Sequence, residues 1–200
     1  MIGKIVTIFL VKKMKKKQDV NEMKKIIFSF GFSTLFTLMS GQVVINEYSA
    51  SNLTGYSDNY QSEEDWIELY NTGISDENLS GYFLSDKPDN PAKWEIPAGT
   101  ILPAESYLIF WCSGRDEYSD GHFHTNFKLH QTRNTQEHVV FSSPSGDIIN
   151  DLELQKTQLE HSIGRSPDGS VTWKIFTDPT LGEANNGSSY TAYAAAPTMS

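Results

Sequence analysis

The 200-residue chain holds a single cysteine, Cys112, so it can form neither an internal disulfide nor a multi-cysteine zinc knot. Basic residues are scarce once the first 41 positions are set aside. Eight of the 16 Lys and Arg residues lie at or before Gly41, where only Asp19 and Glu22 are acidic. From Gln42 onward eight basic residues face 23 acidic ones, a net −15. Such a charge gives no general attraction to phosphate backbones and argues against broad nucleic-acid binding. Charged residues make up 20% and hydrophobic ones 38%, which excludes a disordered polyampholyte and a multi-pass membrane protein. A helical apolar period is also missing after Met39, apart from a weak turn near Leu152–Leu159.

What is present begins with a leader. Met23-Lys24-Lys25 precedes an uncharged, largely apolar run from Ile26 to Met39 and then Ser40-Gly41, the pattern of a secretory signal. The apolar run is short for a bilayer span, and no stop-transfer pattern follows it. Export by cleavage at Ser40 or Gly41 is therefore expected, with membrane attachment only through an uncleaved leader. The weaker apolar patch Ile5–Val11 and the lysine run after it place the expected true start at Met23. No cysteine follows the apolar run, so a lipoprotein anchor is excluded.

Past the leader the chain reads as all-β. Runs rich in β-branched and aromatic residues recur at 43–48, 66–70, 82–84, 94–96, 107–112, 138–142, 148–150 and 171–176. Turn formers separate them, among them Asn71-Thr72-Gly73, Pro97-Ala98-Gly99 and Pro167-Asp168-Gly169. In 65–70, Ile67 and Leu69 share one face while Trp66, Glu68 and Tyr70 share the other, as in a half-buried strand. Glu68 is then either a solvent-facing rung or a carboxylate satisfied by backbone donors. The nearly continuous apolar run 107–112 predicts a central strand covered on both faces. Seven or more short strands in about 140 residues predict a two-sheet sandwich.

Five motifs occur in order: Val44-Ile45-Asn46-Glu47; Asp65-Trp66-Ile67-Glu68-Leu69-Tyr70-Asn71; Asn78 to Asp86 with Gly81 at its centre; Ile96 to Ala104; and Gly164-Arg165-Ser166-Pro167-Asp168-Gly169 followed by Trp173. This series resembles the lamin tail domain in its secreted bacterial form, over about residues 43–186. The resemblance implies an immunoglobulin-like β-sandwich without a catalytic site. It implies structural hallmark roles for Glu47, Glu68, Asn71, Gly81, Gly164, Arg165, Asp168, Gly169, Trp173, Gly182 and Asn185. One departure is visible: the family's closing Thr-Pro-Gly reads Thr180-Leu181-Gly182 here, which loosens one turn. The expected organisation is a leader through residue 41, a sandwich over 42–187, and a polar linker or the start of a further domain over 188–200. The last five residues, Ala196 to Ser200, are similar to the opening of a chitobiase-type C-terminal sandwich.

Several constellations bear on function. Asp58, Glu63, Glu64 and Asp65 offer hard oxygen ligands on a flexible loop, the chemistry of a Ca²⁺ site, although the helix–loop–helix calcium register is absent. No other cofactor is expected. His122-Phe123-His124 would place two imidazoles on one side of a strand, yet without a carboxylate or cysteine at ligand spacing the histidines read as exposed loop residues. Cys112 reads as a buried small hydrophobe. Gly164 to Asp168 fails the nucleophile-elbow pattern, because Asp168 stands where the last Gly belongs, and Pro167-Asp168-Gly169 reads as a turn. Of the four tryptophans, Trp111 and Trp173 fit a core, whereas Trp66 and Trp94 are candidates for a glycan- or peptide-stacking face.

Three functions follow as expectations. The first is a non-catalytic, secreted interaction or spacer module, partnered by neighbouring domains or a cell-surface protein. The second is an accessory domain of a secreted enzyme, of the nuclease or spore-coat kinase-like kind, with its catalytic domain beyond Ser200. The third is a glycan- or cell-wall-binding module using Trp66 and Trp94.

Overall fold

The structure is a computed structural model that describes residues 43–132 and 134–194. The start at Met23, the cleavage site and the residues from Ala196 onward fall outside the described residues. Among the described residues there are fourteen strands and no helix. In chain order they are β1 (Val43–Ser49), β2 (Trp66–Asn71), β3 (Glu77–Asn78), β4 (Phe83–Ser85), β5 (Trp94–Glu95), β6 (Ile101–Leu102) and β7 (Tyr107–Trp111). There follow β8 (Glu117–Ser119), β9 (His122–His124), β10 (His138–Ser142), β11 (Ile148–Glu153), β12 (Ser162–Arg165), β13 (Trp173–Phe176) and β14 (Ser189–Tyr190).

Alternation dictates the layers. Eight strands in the order β14-β13-β12-β1-β2-β7-β9-β8 form one sheet, antiparallel except for the β7–β9 pair. Four strands, β11-β10-β4-β5, form a second sheet, and β3 pairs with β6 in a short ribbon. Ile45, Ile67, Leu69 and Phe110 of the large sheet share one apolar core with Leu84, Trp94, Val139 and Phe141 of the small one. The rings of Trp94 and Phe110 meet edge to face across the layers, 5.9 Å apart. The chain is an all-β sandwich, as its spacing of short strands predicts.

A β-bulge in β1 sets up the site described below. Ile45 pairs with Leu69 but Glu47 pairs with Glu68, so Asn46 is the extra residue. Before the bulge Val43 and Ile45 face the core; after it Tyr48 and Ala50 do. Asn46 and Glu47 are consequently adjacent on the outer face, a re-aiming that bulges provide. At the bulge the free edge of β1 is closed by side chains: Asn150 Oδ1 accepts from Ile45 N (2.8 Å) and Arg165 Nε donates to Ile45 O (2.6 Å).

Three local expectations are corrected. The stretch 152–159 is no helical turn: β11 runs to Glu153 and irregular chain follows, because Leu152 packs against the core from a strand. Tyr107, Leu108 and Ile109 of β7 are only half-buried; the strands covered throughout are β1 and β12. The segment after Ser188 is not a linker throughout, since Ser189 and Tyr190 pair with Phe176 and Ile175 and Tyr193 Oη bonds His161 and Gln158.

Candidate functional site

The densest chemistry lies on the outer face of the large sheet, where Asn46, Glu47 and Glu68 project from neighbouring strands. All three are buried. Over them runs residues 178–187, a strap that returns from β13 to β14. Each of three carboxylates takes one backbone N–H from this strap: Glu47 from Thr180 (3.2 Å), Glu68 from Gly182 (2.7 Å) and Asp168 from Asn185 (3.1 Å). Asn46 ties the carboxylates together. Its Nδ2 donates to Glu68 Oε1 (3.0 Å) and Asp168 Oδ1 (2.9 Å), while its Oδ1 accepts from Gly169 N (3.0 Å). Ser162 Oγ donates to Glu47, Thr180 Oγ1 sits 2.7 Å from Glu47 Oε2, and Tyr107 Oη donates to Asp168 Oδ2 (2.9 Å). Asn185 Nδ2 finally caps the Arg165 carbonyl (2.9 Å).

Electrostatics follows from this burial. Loss of solvent pushes the Glu68 carboxyl up to about 8, with Glu47 and Asp168 adding repulsion against the bonds from Asn46 and Gly182. Glu47 is raised for the same leading reason. Three neighbouring carboxyls served only by neutral donors cannot all ionise cheaply, so Glu68 keeps its proton at neutral pH. Glu68 is thus no solvent-facing rung but a buried carboxyl satisfied by one backbone donor, Gly182 N, and one side-chain donor, Asn46 Nδ2.

The remaining hallmark residues hold the same frame. Asn71 closes the loop after β2, donating to Ser75 O (2.8 Å) and Leu102 O (3.1 Å) and accepting from Gly73 N (2.9 Å). Gly81 N bonds Ile96 O (3.1 Å), tying the chain before β4 to the chain after β5. Arg165 lies over the Trp173 ring at 4.6 Å, beside Tyr48. Gly164 is the tightest point, for a Cβ there would meet Asn185 Nδ2 at 2.7 Å, Phe176 Cε2 at 3.0 Å and Glu47 Cγ at 3.1 Å. A family model for the Lamin Tail Domain matches residues 39–165. The chain belongs to the lamin tail domain family. No curated protein matches it.

The family match ends at Arg165, whereas the strap that seals this lamin tail domain lies beyond it. Of the sequence-expected hallmarks, Glu47, Glu68, Gly164, Arg165, Asp168, Gly169, Gly182 and Asn185 come together in one network. Asn71, Gly81 and Trp173 brace it from elsewhere. Asn46, Ser162, Thr180 and Tyr107 belong to the network too and were not singled out from sequence. The polar pair Asn46-Glu47 inside an apolar strand is the signal that marks a bulge.

The acidic loop does not form the expected calcium site. Asp58 Oδ1 accepts from Tyr60 N (2.8 Å) and Ser62 N (3.0 Å), and its Oδ2 pairs with Arg115 (2.8 Å). Glu64 is shared between Arg115 (3.5 Å) and Lys128 (2.8 Å), Glu63 is exposed, and Asp65 turns inward to accept from Asn52 N (3.1 Å). Burial raises the Asp65 carboxyl to about 7. Among the described residues no group of three or more His, Cys, Asp or Glu is placed to hold a metal ion. Asp58, Glu64 and Asp65 serve loop closure instead.

The tryptophan expectation is also corrected. Trp66 is 0% and Trp94 4% exposed, so neither offers a stacking face. The loop after β1 covers Trp66 with the edge of Tyr56, and Trp94 lies in the core with its Nε1 donating to Asp116 (3.0 Å). Trp111 is buried against His122, and Trp173 is half-buried and packs on the apolar core beside Tyr48. His122 and His124 sit on β9 rather than in a loop, with rings 6.5 Å apart. Trp111 Nε1 donates to His122 Nδ1 (3.0 Å), which occupies that nitrogen's lone pair. His124 is bonded at both ring nitrogens, to Ser113 Oγ (3.0 Å) and Asn59 Oδ1 (2.8 Å), and burial lowers its pKa. Cys112 is buried, and burial pushes its thiol well up.

Proposed function

We propose that this lamin tail domain is a secreted, non-catalytic interaction module, working beside neighbouring domains or against a cell-surface protein. One observation supports it above the others. The most densely clustered acid–base and nucleophilic side chains, Glu47, Glu68, Asp168, His124, Ser113 and Cys112, are buried or bound to one another inside the fold. A general acid or base must reach a substrate proton, and these groups reach only their own neighbours. The leader supports export, and the net −15 after Gly41 disfavours nucleic acid as the partner.

The purified full chain is expected to hydrolyse neither phosphodiester, glycoside nor peptide substrates. Turnover that disappears in Glu68→Gln or His122→Ala would overturn the module reading. A second reading, an accessory domain of a longer enzyme, rests on the linker-like composition after Tyr193. Sequencing the reading frame past Ser200 tests it, and an immediate stop codon removes it.

A further inference from the structure

Two of the large exposed side chains sit on opposite walls of one groove. Ile101 of β6 is 47% exposed and Tyr118 of β8 is 57% exposed. Between them lies a space of about 410 Å³ lined by Pro97, Ile101, Leu108, Tyr118, Gly121 and Phe123, among others. Both walls are shaped by the local sequence. Asp120 (φ 49°) and Gly121 (φ 84°) form the two-residue loop of the β8–β9 hairpin, where Ser119 pairs with His122; two left-handed residues suit the twist of such a hairpin. On the other wall Thr100 N closes back on Pro97 O (3.3 Å) and the Thr100 hydroxyl on the same oxygen (2.8 Å), fixing the approach to Ile101. At Gly99 and Gly121 an added Cβ would meet nothing within 4 Å, so the mouth of the groove is open there.

Charge decides what the groove suits. From Lys93 to Lys128 the chain carries Glu95, Glu105, Asp116, Glu117 and Asp120 against three basic residues, of which Lys93 and Lys128 pair with Asp86 and Glu64 and the third is Arg115. That guanidinium is engaged by Asp58 and Glu64, away from the groove lining. The apolar slot is therefore set in an acidic surround with no free cation of its own chain segment. Both wall strands are also terminal in their sheets, β8 in the eight-stranded sheet and β6 in the ribbon. A terminal strand offers backbone groups to an added strand.

We propose that this groove docks an extended cationic segment of a partner protein, with apolar side chains in the slot and flanking Lys or Arg against Glu95, Glu117 and Asp120. The proposal rests on the interaction-module reading and names its partner chemistry. In an extended segment alternate side chains point the same way, so two apolar residues at spacing two would enter together. Apolar burial supplies affinity, and the acidic surround selects for sign and speeds encounter.

The test is an amide-resolved NMR titration of the purified full chain with two nonapeptide pools. One pool carries Leu, Ile or Phe at two alternate central positions between lysine pairs; the other is identical but has glutamate pairs. The lysine pool is expected to shift the amides of Ile101, Tyr118 and Gly121, and the glutamate pool to leave them unmoved. Affinity should fall about tenfold or more in Tyr118→Ser, and again when salt is raised from about 0.05 to 0.5 M. Tyr118 is exposed, so its replacement leaves folding intact, as the unchanged remainder of the spectrum will report. Absence of groove shifts, equal response to both pools, or an undiminished response in Tyr118→Ser would overturn the proposal. Cleavage of either pool during the titration would instead strike the module reading, so the two failures are separable.

Discussion

The two faces of the eight-stranded sheet are both shielded around β1 and β2, but by opposite means. The inner face presents Ile45, Ile67, Leu69 and Phe110 to the second sheet, and area removed from water holds the layers together. The outer face presents Asn46, Glu47 and Glu68 to the strap, and directional bonds hold it. Apolar contact tolerates rotation and small slips, while a carboxylate accepting one named N–H does not. A one-residue slip of the strap would misplace Thr180, Gly182 and Asn185 together. The inner face therefore supplies most of the stability, and the outer face fixes where the C-terminal segment sits.

The comparison can be broken first from the inside. Phe110→Ala leaves a cavity against Trp94 and Phe123 and should cost about 3–5 kcal/mol in denaturant unfolding. On the outside, Gly164→Ala forces a methyl against Asn185, Phe176 and Glu47. It should cost about 1–3 kcal/mol, with hydrogen exchange rising in 180–190 before it rises in β2. Thr180→Ala removes the hydroxyl shared by Glu47 and Asn185 and should cost about 1–2 kcal/mol, with the same localisation of exchange.

The pH dependence sharpens the contrast. Folding holds Glu68 near 8, above its ordinary 4.5, so the folded state keeps a proton that the unfolded chain gives up. The stability linked to this group is fully present below about 4.5 and is lost as pH rises through about 8. Melting temperatures should therefore decline from pH 7 to 9, and Glu68→Gln should remove part of that decline, Asp65, held near 7 by burial, supplying another part. Phe110→Ala should lower the curve without changing its slope. The smallest effect is expected at Ile74→Ser, where an 88% exposed side chain touches neither face and stability should move by no more than about 0.5 kcal/mol.

Legibility from sequence divides along the same line. The inner face was readable because Ile67 and Leu69 alternate with Trp66 and Glu68, and period two survives in the residues themselves. Burial of Trp66 was not readable, since the cover comes from Tyr56 in a loop whose path depends on Asn52 bonding Tyr56 and Glu64. The calcium expectation failed for a related reason. Arg115, remote in sequence, supplies the cation that Asp58 and Glu64 require. The hallmark positions on the outer face were legible one by one through the family resemblance, but their convergence was not. It depends on the bulge at Asn46 and on a strap that crosses the sheet more than 130 residues after Glu47.

The strap also has a mechanical consequence. Tension on the chain beyond Tyr193 reaches the Tyr193 bonds to His161 and Gln158 first, then β14, then the attachments at Asn185, Gly182 and Thr180 one after another, because they lie in that order along the segment. Bonds loaded in series peel singly and need less force than bonds sheared together. Peeling back to Asp178 would pay out about 50 Å of extended chain, at roughly 3.5 Å per residue, while the apolar layer between the sheets stays closed. The domain thus carries a short extensible tether on one side of a stiff body.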